Sequence, residues 1–407
     1  MATPSVCGDA EPPAYLEWSV YDTMPGDDAA AAGAGGELRA QFRKVRTIRR
    51  GAQGAVYEGA PVPTGAATDG APLPPRVAIK RLFKQLPDGG AFGAIDDGVD
   101  SVAAPPRSRE AELLPTIRHP NVVRCFGAVG APHGETCLVT ELCVADFEEL
   151  AVGRRASHMS LPHAKFALRA ALTALEHLAA RGVVHRDVKP SNLLIAADGN
   201  VKLGDFGSAR TVATAGPAAE GGGTLTPAAR CVTLLYRSPE LLLGARGYGG
   251  EVDVWALGVT FAELLQKRHL FACRSEVAML GKVFGLIGTP TDATWPGMAA
   301  LPMAAMLQFA PQAATLRDRF APLLSPQGFD LLERMLAADP SKRITAAAAL
   351  AHPFWEEAPH PCGAAEMLAL VAASKATAHL SPPKFSVGLA LGDGDDEEDD
   401  EDDIADW

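Results

Sequence analysis

The sequence predicts an α+β fold of two lobes, in which a small antiparallel β lobe is followed by a larger helical lobe. From Phe42 to Leu142, short runs rich in β-branched and aromatic residues follow one another, which is typical of strands. After Leu142, apolar residues recur at three- and four-residue spacing, which is typical of helices that pack on a core. A chain of 407 residues is long enough to build such a two-lobed core.

Five strands and one helix are predicted in the small lobe. The strands are FRKVRTI, AVYEG, RVAIKRLF, VVRCFGAV and TCLVTEL, and the helix is SREAELLPTI at 108–117. Two Gly- and Pro-rich stretches, 59–75 and 87–107, are expected to be surface insertions because such sequences bury little apolar area. In the helical lobe, the apolar spacing from Phe166 to Leu178 predicts a long helix over 161–182 that Gly182 ends.

Composition separates the two ends of the chain from this central part. Residues 1–39 are rich in Ala, Gly, Pro and Asp and are expected to be mostly disordered, with AYLEWSVY at 14–21 as one candidate strand. The predicted parts are an N-terminal extension (1–39), a two-lobed domain (40–356, with lobes 40–142 and 147–356) and a C-terminal extension with an acidic tail (357–407).

Charge and cysteine content argue against several classes of function. The formal net charge is −12, but eleven acidic residues lie between Asp393 and Asp406, so the acidity belongs to a tail. The sequence predicts no basic surface, so nucleic acid is not expected to be the main ligand. The seven cysteines contain no C-x-x-C pair, which favours free thiols. Without an apolar leader or an 18-residue apolar run, no membrane association is expected, and the protein is expected in the cytosol or nucleus.

The stretch VVHRDVKPSNLLI at 183–195, with VKLGDFGSAR after it, carries residues suited to phosphoryl transfer. That reaction needs a carboxylate to accept the hydroxyl proton, oxygen ligands for Mg²⁺, and a cation at the transferred phosphate. The candidates are Asp187 as the base, Lys189 at the γ-phosphate, and Asn192 and Asp205 as metal ligands.

These ordered motifs resemble those of eukaryotic protein kinases, and the resemblance covers residues 40–356. It implies the two-lobed kinase fold, ATP and Mg²⁺ as cofactors, and transfer of the γ-phosphate to Ser or Thr. The stretches YRSPE, GLIGTPTDATWPGM and DPSKRITAAAALAHPFW resemble the cyclin-dependent kinase group among the proline-directed kinases. The implied partners are therefore protein substrates with Ser/Thr-Pro sites.

In the small lobe, the resemblance assigns Lys80 of VAIK to the α- and β-phosphates and Glu110 as its partner. Glu112 is the alternative, but two residues along a helix it points some 200° away, so only one of the two glutamates can face Lys80. Taken singly, either charge would usually be a solvated surface group.

The stretch RTIRRGAQGAVYEG at 47–60 would by itself be an ordinary glycine-containing turn. In the order of the family's motifs, Gly51 and Gly54 match the second and third glycines of the phosphate loop, followed by Val56, and Arg49 replaces the first glycine. The side chain of Arg49 at that position leads us to expect weaker nucleotide affinity.

The resemblance also assigns the connection between the lobes, CLVTELCVADF. Thr140 would border the inner pocket, Glu141 and Cys143 would offer backbone groups to adenine, and Asp146 would bind the ribose. In the helical lobe it implies a structural ion pair between Glu240 and Arg343 and a helix with Asp253. Arg237 is implied to hold a backbone carbonyl near the peptide site, which favours a proline after the phosphoacceptor.

The resemblance also bears on regulation. Three arginines match those that bind a phosphothreonine in related kinases: Arg109, Arg186 and Arg210. We predict that Thr226, or alternatively Thr224, is phosphorylated to supply the anion; Glu220 or the acidic tail is the other candidate. A cyclin-like activating partner is implied as well, although Ser108 replaces the apolar residue that would dock into cyclin.

The alternative function is a pseudokinase, a weakly active nucleotide-binding scaffold. Pseudokinases typically lack the phosphate-binding lysine, the base or the metal-binding aspartate. All of these residues are present here, which favours the enzyme.

Overall fold

A computed structural model describes residues 15–16, 42–51, 54–61, 73–82, 109–131, 135–151, 158–212, 233–307 and 309–378. Most of the predicted N-terminal extension and of the two insertions lies outside these residues, as do Ser108, the loop threonines and the acidic tail.

The small lobe is built on one antiparallel sheet of six strands in the order β1-β2-β3-β4-β6-β5. The five predicted strands are confirmed, and the sixth, β1, lies within the candidate strand near the N-terminus. The strands are β1 (Tyr15–Leu16), β2 (Phe42–Gly51), β3 (Gly54–Pro61), β4 (Val77–Leu82), β5 (Cys125–Ala131) and β6 (Glu135–Glu141).

Strand register separates the two faces of this sheet. Val56 lies opposite Lys80, and Lys80 lies opposite Leu138, so these three side chains share one face. The neighbouring row, Ile79 opposite Val139, belongs to the other face and is buried in the small lobe's own apolar cluster. The first face therefore borders the space between the lobes.

One helix interrupts the sheet, as predicted, but it is short. Helix α1 spans Arg109–Leu113 and continues as a 3₁₀ turn over Leu114–Thr116. Pro115 lies in that turn and cannot donate a backbone hydrogen bond, which agrees with the tighter winding.

Most of the helical lobe surrounds two long helices, α3 and α5. The helices are α2 (Phe147–Ala151), α3 (Leu161–Ala180), α4 (Pro239–Leu242), α5 (Glu251–Gln266), α6 (Glu276–Ile287), α7 (Leu316–Phe320), α8 (Pro326–Met335), α9 (Ala346–Leu350) and α10 (Ala364–Ala378). The strands are β7 (Cys143–Asp146), β8 (Val183–Val184), β9 (Leu193–Ala196), β10 (Val201–Leu203) and β11 (Arg210–Thr211).

The predicted helix over 161–182 is confirmed as α3. It ends just before Gly182, whose φ of +65° lies in the left-handed region that favours glycine. Helix α5 is buried along most of its length, and its Trp255 is fully buried in the core. Helix α10, in the predicted C-terminal extension, adds apolar side chains such as Met367 to the same core.

The core extends across both lobes, because Leu114 and Leu138 of the small lobe belong to the same apolar cluster as Leu172 of α3. The small lobe and the helical lobe therefore share apolar contacts at their junction. Within the described residues, we find no helix that combines the length and the apolar character needed to cross a bilayer.

Candidate active site

Three predicted site residues meet between the lobes. The Nζ atom of Lys80 donates to both carboxylate oxygens of Glu110, at 2.8 Å each, and to Oδ1 of Asp205 at 2.6 Å. Glu110 is buried on α1, whereas Glu112 is exposed, so the structure distinguishes the two candidate partners in favour of Glu110. The ammonium group of Lys80, on strand β4, therefore contacts carboxylates from helix α1 and from a loop of the helical lobe.

The electrostatics of this cluster keep the lysine and the aspartate charged. Burial opposes the charge on Lys80, but the carboxylates of Glu110 and Asp205 outweigh it and hold its pKa above the ordinary value. Burial also opposes ionisation of Asp205, yet the charge of Lys80 and the N–H of Gly207 hold the pKa of Asp205 below its usual range. Asp205 is therefore an ionised carboxylate that could bind a cation.

Asp205 and the residue before Asp187 both have strained backbone. Arg186 has a φ of +67° and Asp205 a φ of +59°, in a region that non-glycine residues seldom adopt. Such conformations cost of order 1–3 kcal/mol and persist only where the surroundings impose them. At Arg186 the cause is visible, because the buried carboxylate of Asp253 accepts the N–H groups of His185 and Arg186 at 2.7 Å each.

His185 also holds the backbone of the segments that contain Asp187 and Asp205. Its Nδ1 accepts the N–H of Asp187 at 3.3 Å and its Nε2 lies 3.0 Å from the carbonyl of Gly204, a pattern that assigns the proton to Nε2. Burial lowers the pKa of His185, which agrees with a neutral ring. The ring of Phe206 packs edge-on against it, with the centroids 4.8 Å apart. One imidazole thereby links the segment of Asp187 to that of Asp205.

The carboxylate of Asp187 lies at the centre of a polar network. Its Oδ1 accepts the hydroxyl of Thr233 at 2.7 Å, and its Oδ2 accepts Nζ of Lys189 at 2.8 Å. Lys189 also donates to the hydroxyl of Thr233 at 2.8 Å, which closes a triangle of three side chains. The predicted base and the predicted γ-phosphate ligand are therefore in direct contact.

Asn192 and Asp205 fit a site for Mg²⁺. The amide nitrogen of Asn192 donates to the carbonyl of Asp187 at 2.7 Å and to its Oδ2 at 3.1 Å, which leaves the amide oxygen to bind another group. The carbonyl of Asn192 accepts the N–H of Gly204 at 2.9 Å, which holds Asn192 beside the residue that precedes Asp205. A carboxylate and an amide oxygen are hard ligands of the kind that Mg²⁺ prefers.

The glycine-containing stretch forms a hairpin. Gly51 at the end of β2 lies opposite Gly54 at the start of β3, and the two residues between them lie outside the described part. Without a Cβ, the two glycines would let a phosphate approach the backbone closely. Val56 lies opposite Lys80 on the face that borders the cleft, so it is positioned to contact a nucleotide base.

The connection between the lobes runs from β6 into β7 and contains the residues predicted to bind adenine and ribose. The N–H of Glu141 donates to the carbonyl of Arg124 at 2.9 Å, while Cys143 and Asp146 lie on β7. Burial raises the pKa of the Cys143 thiol to about 12, so this group stays protonated. Thr140 lies one residue before Glu141 and is half-buried.

Two of the three predicted anion-binding arginines lie close to one strand pair, Arg210 on β11 and Arg186 just after β8. Arg210 on β11 pairs with Val184 on β8, two residues before Arg186. Arg186 donates Nε to the carbonyl of Ser208 at 2.7 Å and Nη1 to the hydroxyl of Tyr248 at 3.0 Å. Its buried Nη2 atom has no hydrogen-bond partner among the described residues.

The predicted structural pair is present in the helical lobe. Arg343 donates Nη1 and Nη2 to the two oxygens of Glu240, at 2.8 and 2.9 Å. Arg237 donates to Glu276 at the start of α6. Residues 213–232, which precede Thr233 and include the loop threonines, lie outside the described residues, so the structure does not test the prediction of a carbonyl held by Arg237 in that segment.

Sequence reasoning missed two contributors to this region. Thr233 lies 46 residues from Asp187 in the sequence, yet its hydroxyl contacts both Asp187 and Lys189. Tyr248 lies in a glycine-rich stretch with no evident motif, yet it binds Arg186. For Thr233, the only signal in the sequence was a hydroxyl residue immediately after the glycine-rich loop. For Tyr248 there was no signal.

Comparisons with known proteins agree with this geometry. The protein kinase domain family matches residues 99–355. A "Probable cyclin-dependent kinase 10" from Dictyostelium discoideum is 36% identical over 324 residues, which cover 79% of this chain and 80% of that protein. "Cyclin-dependent kinase D-1" from Arabidopsis thaliana is 35% identical over 322 residues, covering 79% of this chain and 72% of that protein.

A solved structure shares the fold. It is titled "Structure of the CAK complex form Chaetomium thermophilum bound to ATP-gamma-S", has 32% sequence identity and a TM-score of 0.63, and the match covers 79% of this chain and 93% of that one. With the two lobes, the Lys80 cluster and the Asp187 network, these matches make the chain a member of the protein kinase family, of the cyclin-dependent-kinase-like Ser/Thr kinases.

Proposed function

We propose that this protein transfers the γ-phosphate of ATP to Ser or Thr hydroxyls that are followed by proline. The observation that carries the proposal is the network around Asp187, in which a carboxylate, an ammonium and an amide converge. Catalysis of phosphoryl transfer is mainly positioning and electrostatic stabilisation, so a fixed set of charges is what the reaction needs.

Each residue has a role in this reaction. Lys80, held by Glu110, would bind the α- and β-phosphates, and the backbone of Gly51 and Gly54 would cover them. Asp187 would accept the proton of the attacking hydroxyl while Lys189 stabilises the charge on the transferred group.

The remaining predicted site residues would hold the metal and the nucleoside. Asn192 and Asp205 would hold Mg²⁺, which would neutralise charge on the phosphate oxygens. Val56 and backbone groups of Glu141 and Cys143 would contact adenine, and Asp146 would bind the ribose.

The preference for proline rests on the YRSPE stretch. Arg237 is mostly buried and its guanidinium is anchored to Glu276, and the resemblance implies that this guanidinium holds a backbone carbonyl of the loop segment near the peptide site. If that segment's carbonyl is held by Arg237, a substrate residue without an N–H loses no hydrogen bond by following the phosphoacceptor.

Matched peptides test this preference. Rates of phosphate transfer from ATP would be compared on peptides that differ only in Pro or Ala after the serine. We expect the proline peptide to have the higher kcat/KM, and equal values for the two peptides would contradict the proposal.

Activation is proposed to depend on a phosphothreonine in the loop after Asp205. The buried Nη2 atom of Arg186 supports this, because a phosphate beside it would satisfy a donor that lacks a partner among the described residues. Thr226 is the first candidate and Thr224 the second.

Substitution of the two threonines tests activation. The variant with both Thr226→Ala and Thr224→Ala is expected to lose most of its activity, and Thr226→Ala alone most of that loss. Full activity in the double variant would contradict a phosphothreonine. Loss of activity in a chain truncated after Leu391 would instead favour the acidic tail as the source of the anion.

A cyclin-like protein is the proposed activating partner, because a structural relative was solved as part of the CAK complex. Ser108 at the expected docking position argues against the usual apolar contact. Copurification of the full-length chain followed by identification of bound proteins tests this proposal, and recovery of no cyclin-fold protein would contradict it.

A further inference from the structure

An ion pair connects the two lobes at the outer end of the cleft. Nη2 of Arg49, on the strand that leads into the glycine hairpin, lies 3.5 Å from Oδ2 of Asp146, at the end of β7. The two residues are 97 positions apart in the sequence. The arginine stands where the family's first glycine would be, and the aspartate is the proposed ligand of the ribose.

Strand register directs Arg49 toward the cleft. Arg49 on β2 lies opposite Val56 on β3, which lies opposite Lys80 on β4. Residues directly opposite each other in an antiparallel pair place their side chains on the same face of the sheet. Arg49 therefore shares the face that carries the phosphate-binding lysine, and its contact with Asp146 is a consequence of the sheet geometry.

Both oxygens of Asp146 already have partners. Oδ1 accepts the N–H of Glu149 at 2.9 Å in the first turn of α2, and Oδ2 contacts Arg49. The aspartate side chain is 16% exposed and the arginine side chain 56%. The carboxylate is thus the fixed member of the pair, whereas the long arginine side chain can leave it for solvent.

We propose that Arg49 competes with the ribose of ATP for Asp146 and thereby weakens nucleotide binding. The proposal rests on the function proposed above, in which Asp146 is the ribose ligand. The Arg49 guanidinium lies within ion-pair distance of Oδ2, so it and a ribose hydroxyl would use the same acceptor oxygen of Asp146. A nucleotide that uses Oδ2 must therefore displace Arg49 or accept a poorer bond.

The size of the effect follows from the exposure of the arginine. Ion pairs with a solvent-exposed member stabilise by roughly 0.2–1 kcal/mol, and tenfold in affinity corresponds to about 1.4 kcal/mol. Removing the competitor should therefore tighten nucleotide binding by up to about five-fold. An effect far above this range would require a different cause.

The first experiment measures the dissociation constant of Mg²⁺-ATP for the full-length protein by titration calorimetry. Arg49→Ala is expected to bind ATP about 1.4- to five-fold more tightly than the wild type. Arg46→Ala is the matched control, because it removes the same charge from the same strand but from a pair with Glu58. The control is expected to bind ATP as the wild type does, or slightly more weakly.

The second experiment tests whether the effect passes through the ribose. For 2′,3′-dideoxy-ATP, which lacks the competing hydroxyls, wild type and Arg49→Ala are expected to have equal affinities. In an Asp146→Ala background, Arg49→Ala is expected to leave ATP affinity unchanged. A gain of affinity that persists with 2′,3′-dideoxy-ATP, or in the Asp146→Ala background, would contradict competition between Arg49 and the ribose for Asp146.

The outcomes separate this inference from the proposed function. Weaker ATP binding by Arg49→Ala would mean that the guanidinium binds the nucleotide itself, and unchanged binding would mean that the pair has no role; either result overturns the inference. If neither the wild type nor any variant binds ATP, the proposed function itself fails.

Discussion

Two clusters of buried charge in this protein have opposite designs. Around Arg343 in the helical lobe, the guanidinium is fully buried and donates to both oxygens of Glu240 and to the carbonyls of Ala337, Ala338 and Glu251. Around Lys80 in the cleft, Asp205 contacts the ammonium through Oδ1, and its side chain is 38% exposed. The first cluster uses its donors within the protein, whereas the second keeps a carboxylate accessible.

The difference shows what separates a structural ion pair from a binding site. Residue types are similar in the two clusters, so composition alone does not distinguish them. The clusters differ in the exposure of their charged groups and in the number of hydrogen bonds that these groups already make. A charged group whose hydrogen bonds are complete has little capacity to bind a ligand. We therefore expect substitutions in the cleft to affect activity and those around Arg343 to affect stability.

The largest expected effect is on activity in the cleft. Asp187→Asn keeps the shape of the side chain but cannot accept the hydroxyl proton, so kcat should fall by about 10²–10⁴. The melting temperature should change little. Asp198→Asn, an exposed aspartate in the turn between β9 and β10, is the matched control and should keep its activity. More than a hundredth of the wild-type rate in Asp187→Asn would contradict the base assignment.

The next effect concerns stability. Arg343→Ala leaves the buried carboxylate of Glu240 without its partner, and breaking a buried pair from one side costs about 3–5 kcal/mol. Chemical denaturation would measure the free energy of unfolding. Arg334→Ala is the control, because its pair with Asp330 is exposed and should contribute less than about 1 kcal/mol. Similar losses of unfolding free energy in the two variants would contradict the claim that the buried Arg343–Glu240 pair stabilises the fold more than an exposed pair does.

The smallest expected effect is on the pH dependence of stability. Burial raises the pKa of Asp253 from the ordinary value of 3.8 to about 7, although its oxygens accept the N–H groups of His185 and Arg186. Because the folded state favours the protonated form, this contribution to stability is complete below about pH 4 and is lost as the pH rises through about 7.

Melting temperatures of wild type and Asp253→Asn between pH 5 and 8 would isolate that contribution. The wild type should lose more stability than the variant over this range, since the asparagine does not titrate. Parallel profiles would mean that Asp253 stays ionised and that its two backbone donors outweigh burial.

Much of the fold and the site could be predicted because the determining patterns are local. The β-branched runs predicted the strands. Helical geometry allowed only one of Glu110 and Glu112 to face Lys80, and the resemblance to kinases favoured Glu110. The Arg49 contact could not be predicted in the same way. It joins residues 97 positions apart and depends on how the two lobes meet, which no periodicity records.

The position of Thr233 was likewise hidden. Its contact with Asp187 depends on the path of the chain between them, so a single hydroxyl residue after the loop was too weak a signal to predict it. Helix α10 shows a third kind of limit. Its composition suggested an extension beyond the domain, yet Met367 and Leu370 are buried in the shared core.

We propose that the accessible charged groups of the cleft perform phosphate transfer. The most direct test uses the full-length protein purified under conditions that retain bound proteins. Its thermal shift with Mg²⁺-ATP and its transfer of labelled γ-phosphate to a Ser-Pro substrate would be measured on the same preparation. We predict both a positive shift and transfer that Asp187→Asn abolishes. A shift without transfer would contradict the claim and identify the protein as a nucleotide-binding scaffold.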